Sequence, residues 1–179
     1  GEVSKNVAGY AVSRWLTGSL GTLGILLDVS LKVLPRPAVE TTLCLPMTES
    51  QALHAMNQWA GQPLPISGTA WVGEGTEGGL LSVRLSGSRA AASAARARIG
   101  GDVMDDGDVF WRALRDHRHP FLTACPLWRV SVPSTTPALN LGPTLIEWGG
   151  AQRWLTGPHL ARPMRAQVRE LGGHGTLFR

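Results

Sequence analysis

The sequence predicts an α+β fold, in which an antiparallel sheet carries helices on one face and follows the tail of a different domain. Runs of alternating apolar and polar residues recur along the chain, and this period-two pattern is typical of strands with one buried face. Between them lie segments with apolar residues at helical spacing and capping residues at their ends. Pro35-Arg36-Pro37 breaks the pattern early, because two prolines remove two backbone donors and favour extended geometry. We therefore expect residues 1–37 to end one domain and residues 38–179 to form another.

The composition is that of an ordinary globular protein. Of 179 residues, 43% are hydrophobic and 17% are charged, whereas a disordered chain needs low hydropathy and high net charge. The formal net charge of +4 is small and the basic residues are scattered, which argues against nucleic acid as a partner. Cys44 and Cys125 fit no zinc or disulfide spacing, and no apolar run reaches the ~18 residues of a membrane span. We expect a cytoplasmic protein without a transmembrane segment.

The first predicted strand lies before the proline boundary. Leu27, Val29, Leu31 and Val33 alternate with polar residues over residues 27–33. This alternation predicts a strand with one buried face.

After the boundary the predicted order is β-α-β-β-α, which is typical of ferredoxin-like elements. A strand over residues 39–45 leads into a capping box made by Thr48 and Gln51, and the helix that follows ends at Gly61. The next predicted elements are a hairpin of residues 66–72 and 81–85 and an Ala-rich helix over residues 89–99 capped by Ser88.

The rest of the chain continues with short helices and strands. Asp108 is expected to cap a short helix that ends near His117, and His117 and His119 are interpreted as helix-end residues rather than metal ligands. Strands are predicted over residues 128–132 and 144–148. Leu160, Met164, Val168 and Leu171 predict a final helix, and a last strand begins at His174.

A glycine-rich segment, Gly18-Ser19-Leu20-Gly21-Thr22-Leu23-Gly24, precedes the first predicted strand. Glycine at three-residue intervals lets a backbone turn tightly and offer N–H groups to phosphate oxygens or to a base edge. The segment is not a dinucleotide fingerprint, since its spacing is G-x-x-G-x-x-G, and it lacks the Lys-Ser/Thr of a P-loop. Spacing alone leaves both a nucleotide-binding loop and a plain surface loop open.

Four stretches of sequence together carry a resemblance to a known family. They are residues 5–37 with the glycine-rich segment, Leu127-Trp128-Arg129-Val130-Ser131-Val132-Pro133-Ser134, Glu147-Trp148-Gly149-Gly150-Ala151-Gln152-Arg153-Trp154-Leu155, and Gly172-Gly173-His174-Gly175-Thr176-Leu177-Phe178. They resemble FAD-linked oxidoreductases of the vanillyl-alcohol oxidase type, and among these the FAD-binding subunits of bacterial glycolate oxidases. The likeness covers nearly the whole chain.

The resemblance implies an FAD domain, of which residues 1–37 are the C-terminal tail, followed by an α+β cap over the flavin. It implies that FAD is bordered by Gly18, Ser19, Gly21, Thr22, Gly24 and Ile25, and by the preceding turn with Lys5, Asn6, Gly9 and Tyr10. The family places Asp directly after that tyrosine, whereas here it is Ala11, which removes a hydrogen-bond acceptor. The missing initiator Met and the unfinished last strand suggest a fragment, which we expect to be inactive alone.

Two residues are candidates for substrate chemistry. Arg129 could hold the carboxylate of a 2-hydroxy acid bidentately, although an arginine on the polar face of a strand is commonly solvated or paired. His174 could accept the hydroxyl proton, although a histidine that opens a strand is commonly a surface residue. No metal site is expected, because the acidic residues between Asp102 and Asp108 do not follow the calcium-loop pattern.

The resemblance also implies partners. These are a second, paralogous flavoprotein subunit and an iron–sulfur subunit of a glycolate-oxidising complex, which could hold the chain at the inner membrane. The subunit would either oxidise glycolate to glyoxylate or relay electrons within the complex. The alternative is a non-catalytic cap or assembly module, or a gene remnant that has lost its FAD-binding half.

Overall fold

A computed structural model describes residues 12–33, 35–74, 78–158 and 161–179. The chain divides into two units, residues 1–36 and residues 37–179. Each unit is described by itself.

Within residues 12–33 of the first unit, the structure has one short helix, α1 (Val12–Leu16), and the turn that follows it. Residues 24–33 have no regular secondary structure, so the strand predicted over residues 27–33 is wrong. A strand needs a neighbour for its ladder of hydrogen bonds, and no described residue supplies one. Leu27 and Val33, from the alternating apolar face, are 89% and 79% exposed.

The second unit is built on one eight-stranded antiparallel sheet with the order β4-β1-β3-β2-β6-β7-β5-β8. The strands are β1 (Val39–Met47), β2 (Ile66–Gly73), β3 (Gly79–Gly87), β4 (Asp102–Val103), β5 (Leu127–Ser131), β6 (Thr144–Glu147), β7 (Gln152–Thr156) and β8 (His174–Leu177). Helices and antiparallel sheet together make the α+β class that the sequence predicts.

The helices that the structure describes beside the sheet are α2 (Glu49–Ala60), α3 (Arg89–Ile99), α4 (Gly107–Arg115) and α5 (Ala161–Glu170). Local sequence signals fix two helix starts as predicted. Thr48 and Gln51 form the capping box of α2, in which the Gln51 side chain accepts from the Thr48 amide at 2.9 Å. Ser88 accepts from the Ala91 amide at the start of α3. The predicted Asp108 cap is wrong, since α4 begins at Gly107 and the Asp108 carboxylate pairs with Arg112 at 2.7 Å.

Helices cover both faces of the sheet, which corrects the expectation of a single covered face. We call the surface under α2, α3 and α5 the helix face; its core includes Leu43, Trp71, Ala95, Trp128 and Val168. On the opposite surface, α4 and a 3₁₀ turn (Pro120–Thr123) pack Leu114 and Leu122 against Leu127, Leu145 and Trp154. Neighbouring residues of one strand point to opposite faces, so a strand buried on both sides serves two cores.

The sheet consists of two halves with the same internal order. The first half runs β4-β1-β3-β2 and has the β-α-β-β-α-β element order of ferredoxin-like units. The second half runs β8-β5-β7-β6, so its four strands occupy the same relative places. β2 and β6 join the halves as an antiparallel pair, with Trp71 opposite Ile146. Residues 132–143, which contain no helix, take the place of the first crossover helix in the second half.

Arg153 on β7 holds that irregular connection from the helix face. Its guanidinium is fully buried and donates to the carbonyl oxygens of Gly150 at 3.1 Å, Pro137 at 2.6 Å and Thr136. The buried Glu49 carboxylate lies 3.8 Å from the same guanidinium. Burial lowers the pKa of Arg153 and raises that of Glu49, and in each case the partner's charge opposes the shift.

Strand β7 was not predicted from the sequence. Its first four residues are all buried, because the strand lies between two neighbours and both of its faces are covered. Such a strand has no alternation of apolar and polar residues to read.

Candidate functional site

The glycine-rich segment of the first unit forms an open turn. Gly18 and Gly21 have φ of +81° and +80°, in the left-handed region that favours glycine. The turn is stabilised by Thr22, whose amide and hydroxyl donate to the Ser19 carbonyl at 3.0 and 2.7 Å. A Cβ atom built at Gly18, Gly21 or Gly24 would meet no atom of the described residues within 4 Å. The backbone is therefore open to close approach by a ligand.

Of the residues that the resemblance assigns to FAD, six lie on or beside this turn: Gly18, Ser19, Gly21, Thr22, Gly24 and Ile25. The Ile25 side chain is 91% exposed. Lys5, Asn6, Gly9 and Tyr10 lie outside the described residues. Their assignment, like that of the six, stays a prediction.

The second unit places Arg129 at the centre of a polar and aromatic surface. Arg129 is the middle residue of β5 and points away from Trp128 and Val130, as the sequence predicted. We call this surface, opposite the helix face and carrying Arg129, the Arg129 face. The side chain is paired here, since Nε and Nη2 both donate to Oε1 of Gln152, at 2.9 and 2.7 Å.

The pairing continues into a chain of hydrogen bonds. Nε2 of Gln152 donates to Oε2 of Glu147 at 3.1 Å, and the indole N–H of Trp154 donates to the same oxygen at 2.7 Å. The register of β6 and β7 sets Glu147 opposite Gln152. Gln152 is 6% and Trp154 1% exposed, so the chain is anchored in the core and ends at an exposed guanidinium.

Two indole rings flank the guanidinium. The Arg129 Cζ atom lies 6.0 Å from the ring centres of both Trp148 and Trp154, at the limit of cation–π distance. Trp148 is 69% exposed and has a φ of +53°, a conformation that costs a bulky residue free energy. An exposed aromatic residue held in this strained conformation beside a charged group is typical of a functional surface.

His174 lies on the same face as Arg129. In the β5–β8 ladder, Thr176 is directly opposite Arg129 and His174 is opposite Ser131. His174 is therefore the diagonal neighbour of Arg129, at a Cα separation of about 7–8 Å. Its exposed side chain makes no hydrogen bond within the described part of the chain.

The two histidines near the end of α4 border this surface. His117 packs its ring 5.3 Å from the rings of both Trp154 and Phe178. Nδ1 of His119 accepts the Phe121 amide at 3.3 Å, and burial lowers the pKa of His119 while the charge of Glu147 opposes the shift. Among the described residues, no three His, Cys, Asp or Glu side chains are grouped to hold a metal ion.

Sequence reasoning identified Arg129 but missed Glu147, Trp148 and Gln152. Glu147 and Gln152 lie in the stretch that carries the family resemblance, yet nothing in their spacing pairs them with a residue some twenty positions upstream. The signal lies in the strand register, which depends on the unpredicted β7.

Helices in the described ranges are all too short or too polar to cross a membrane.

Comparison with curated proteins relates the chain to subunits of an oxidoreductase. It is 41% identical over 180 residues to the glycolate oxidase subunit GlcE of Escherichia coli (strain K12), and the alignment covers 99% of this chain and 49% of GlcE. A stretch of 43 residues, 24% of this chain, is 44% identical to 9% of the glycolate oxidase subunit GlcD of Bacillus subtilis (strain 168). No family model matches the chain.

These similarities confirm the resemblance to a glycolate oxidase subunit. The chain spans about half the length of GlcE, which also agrees with the expectation of a fragment.

Proposed function

We propose that the chain is part of an FAD-binding subunit of a complex that oxidises glycolate or a related 2-hydroxy acid. The similarity to GlcE over 99% of the chain carries this proposal. Under this proposal, the first unit belongs to the FAD domain and the second unit is the cap that covers the flavin.

The turn fits a nucleotide cofactor, because no side chain of the described residues fills the space above Gly18 and Gly21. FAD, when bound, would supply the hydride-accepting chemistry of the reaction. The residues proposed to border it are Gly18, Ser19, Gly21, Thr22, Gly24 and Ile25, with Lys5, Asn6, Gly9 and Tyr10 from the preceding turn.

The Arg129 face supports binding of a small carboxylic acid. Arg129 offers a fixed, exposed positive charge, and guanidinium groups bind carboxylates through two parallel N–H donors. His174, the diagonal neighbour on β8, is the proposed acceptor of the substrate hydroxyl proton. The proposed partners are the paralogous flavoprotein and the iron–sulfur protein of a glycolate oxidase complex, and the chain could instead relay electrons between them.

The test uses a protein of GlcE length that carries this chain, expressed with its partner subunits. Glycolate should bleach its flavin, and Arg129→Gln should slow that bleaching while the flavin content stays unchanged. A protein that copurifies without flavin, or whose bleaching is indifferent to Arg129→Gln, would contradict the proposed role.

A second candidate is a non-catalytic assembly module. The described part of the second unit has its own sheet and its own buried clusters, so it is equipped to fold without a flavin. Copurification of the 179-residue chain with the partner subunits, with no flavin-dependent activity in the GlcE-length protein, would favour it.

A further inference from the structure

The hydrogen-bond donors of Arg129 are divided between two edges of the guanidinium. A guanidinium has five N–H donors, and Nε and Nη2 form its side edge. Both side-edge donors bind the single Oε1 atom of Gln152, at 2.9 and 2.7 Å. The end edge, made by one N–H each of Nη1 and Nη2, has no hydrogen-bond partner within the described part of the chain. A carboxylate can therefore bind bidentately in one way, across the end edge.

Gln152 is fixed in the orientation that this division requires. Arginine can only donate and a carboxylate can only accept, so the Gln152 amide must turn its oxygen to Arg129 and its nitrogen to Glu147. Glu147 is held in turn by the indole N–H of the buried Trp154. The orientation of the guanidinium is thus set from the core, before any ligand binds.

The intervening amide also preserves the charge of Arg129. A carboxylate bonded directly to the guanidinium would neutralise it and compete with an incoming anion. Here the Glu147 carboxylate is separated from Arg129 by a neutral side chain. The Arg129 guanidinium therefore keeps its positive charge and is also held in a defined orientation.

We propose that Gln152, held by Glu147, is a positioning residue that presents the end edge of Arg129 to the carboxylate of a small monocarboxylic acid. This inference rests on the proposed function of the Arg129 face. Gln152 itself does not touch the acid.

The test is nuclear magnetic resonance of the 179-residue chain, without flavin, titrated with glycolate. The Arg129 Nε–H resonance reports the bond to Gln152 directly, which general loss of stability does not. In the unsubstituted chain it should be resolved and slow to exchange, and glycolate should shift it. Gln152→Met should release it and weaken glycolate binding by about tenfold. Glu147→Gln, which keeps an oxygen for both donors, should leave affinity within about twofold.

Gln152→Glu is a second variant in case Gln152→Met unfolds. It keeps an acceptor for Nε–H but places a negative charge against the guanidinium, so the resonance should persist while glycolate affinity falls. Arg129→Gln separates the positioning role of Gln152 from the carboxylate-binding role of Arg129. If it abolishes binding while Gln152→Met and Gln152→Glu bind like the unsubstituted chain, the positioning role is wrong and the Arg129 anchor stands. If Arg129→Gln binds glycolate unchanged, or glycolate never shifts the resonance, both the anchor and its positioning are wrong.

Discussion

Replacement of Arg153 should strongly destabilise the second unit. Arg153 lies fully buried and bridges α2 and the irregular connection of the second half of the sheet. Arg153→Met keeps an unbranched but shorter side chain and removes the charge and every donor. Three carbonyl oxygens, those of Thr136, Pro137 and Gly150, would lose their donor.

The magnitude follows from what the substitution leaves behind. A buried acceptor without a partner costs about 1–3 kcal/mol, and removing one member of a buried ion pair costs about 3–5 kcal/mol because the other charge stays buried. The contributions overlap, so we expect Arg153→Met to lower the free energy of unfolding by about 3–5 kcal/mol. Glu49→Gln should cost less, about 1–2 kcal/mol, because the guanidinium keeps its three carbonyl acceptors.

The pH dependence of the free energy of unfolding separates the unpaired Glu49 carboxylate, which titrates, from the carbonyl acceptors, which do not. Burial already raises the pKa of Glu49, and without Arg153 the largest contribution that opposes this shift would be lost, which leaves the backbone hydrogen bond to Leu139. In the variant the folded state would bind a proton more tightly than the unfolded state. Its stability should therefore be highest below the unfolded pKa of about 4.3 and fall as pH rises through the raised folded pKa.

The assay is urea unfolding followed by tryptophan fluorescence at several pH values, with Glu49→Gln/Arg153→Met as the control that removes the titrating group. A loss below about 1 kcal/mol for Arg153→Met, with an unchanged m-value, would refute the argument. So would a single and a double variant with the same pH dependence.

Three further substitutions test separate parts of the structure. His119→Asn keeps an acceptor for the Phe121 amide but does not titrate near neutrality. Because burial lowers the pKa of His119, the parent should lose stability as pH falls below about 6.5, and the variant should lose less when both are measured by urea unfolding. Trp148→Asn should not lower the free energy of unfolding and should raise it by up to about 1 kcal/mol, since asparagine tolerates a positive φ; a clear loss on denaturation would show that the indole stabilises the fold. Gly173→Ala should cost about 1–3 kcal/mol, because its methyl group would overlap the Ser131 carbonyl oxygen and lie 2.6 Å from a Val132 methyl carbon. A thermal melt unchanged from the parent would contradict this.

Elements with a local signal were predictable from the sequence. The capping box at Thr48 and Gln51 and the Ser88 cap depend on side chains within three residues of each other, so no tertiary information is needed. Strand β3 likewise shows its pattern, because Leu81, Val83 and Leu85 alternate with polar residues along the strand.

Features that depend on distant partners were not predictable. The strand predicted over residues 27–33 has the right alternation but no described neighbour to pair with. The placement of α4 on the opposite face follows from contacts such as the Trp111 indole bond to the Thr42 hydroxyl at 2.9 Å, which joins residues far apart in sequence. The Arg129–Gln152 pairing could not be predicted for the same reason. It depends on the register of β7, a strand whose sequence shows no alternation of apolar and polar residues.

The repeated halves of the sheet explain why an arginine lies in the core, and they connect it to the Arg129 face. Trp71 and Ile146 occupy equivalent places, and their hairpin partners are Leu81 and Arg153. In the first half a helix covers Leu81 and satisfies its own backbone groups, whereas the irregular connection of the second half brings carbonyl oxygens to the core that need outside donors. Arg153 supplies those donors where leucine suffices in the other half.

Gln152 is the chain neighbour of Arg153 on β7 and points to the opposite face, so the buried bonds that fix Arg153 also fix the backbone from which Gln152 reaches Arg129. The two faces should therefore be coupled. Under conditions in which Arg153→Met remains folded, the Nε–H resonance of Arg129 should differ in chemical shift from that of the unsubstituted chain. Its proton should also exchange with solvent faster. An unperturbed resonance in that variant would show that β7 keeps its register without Arg153.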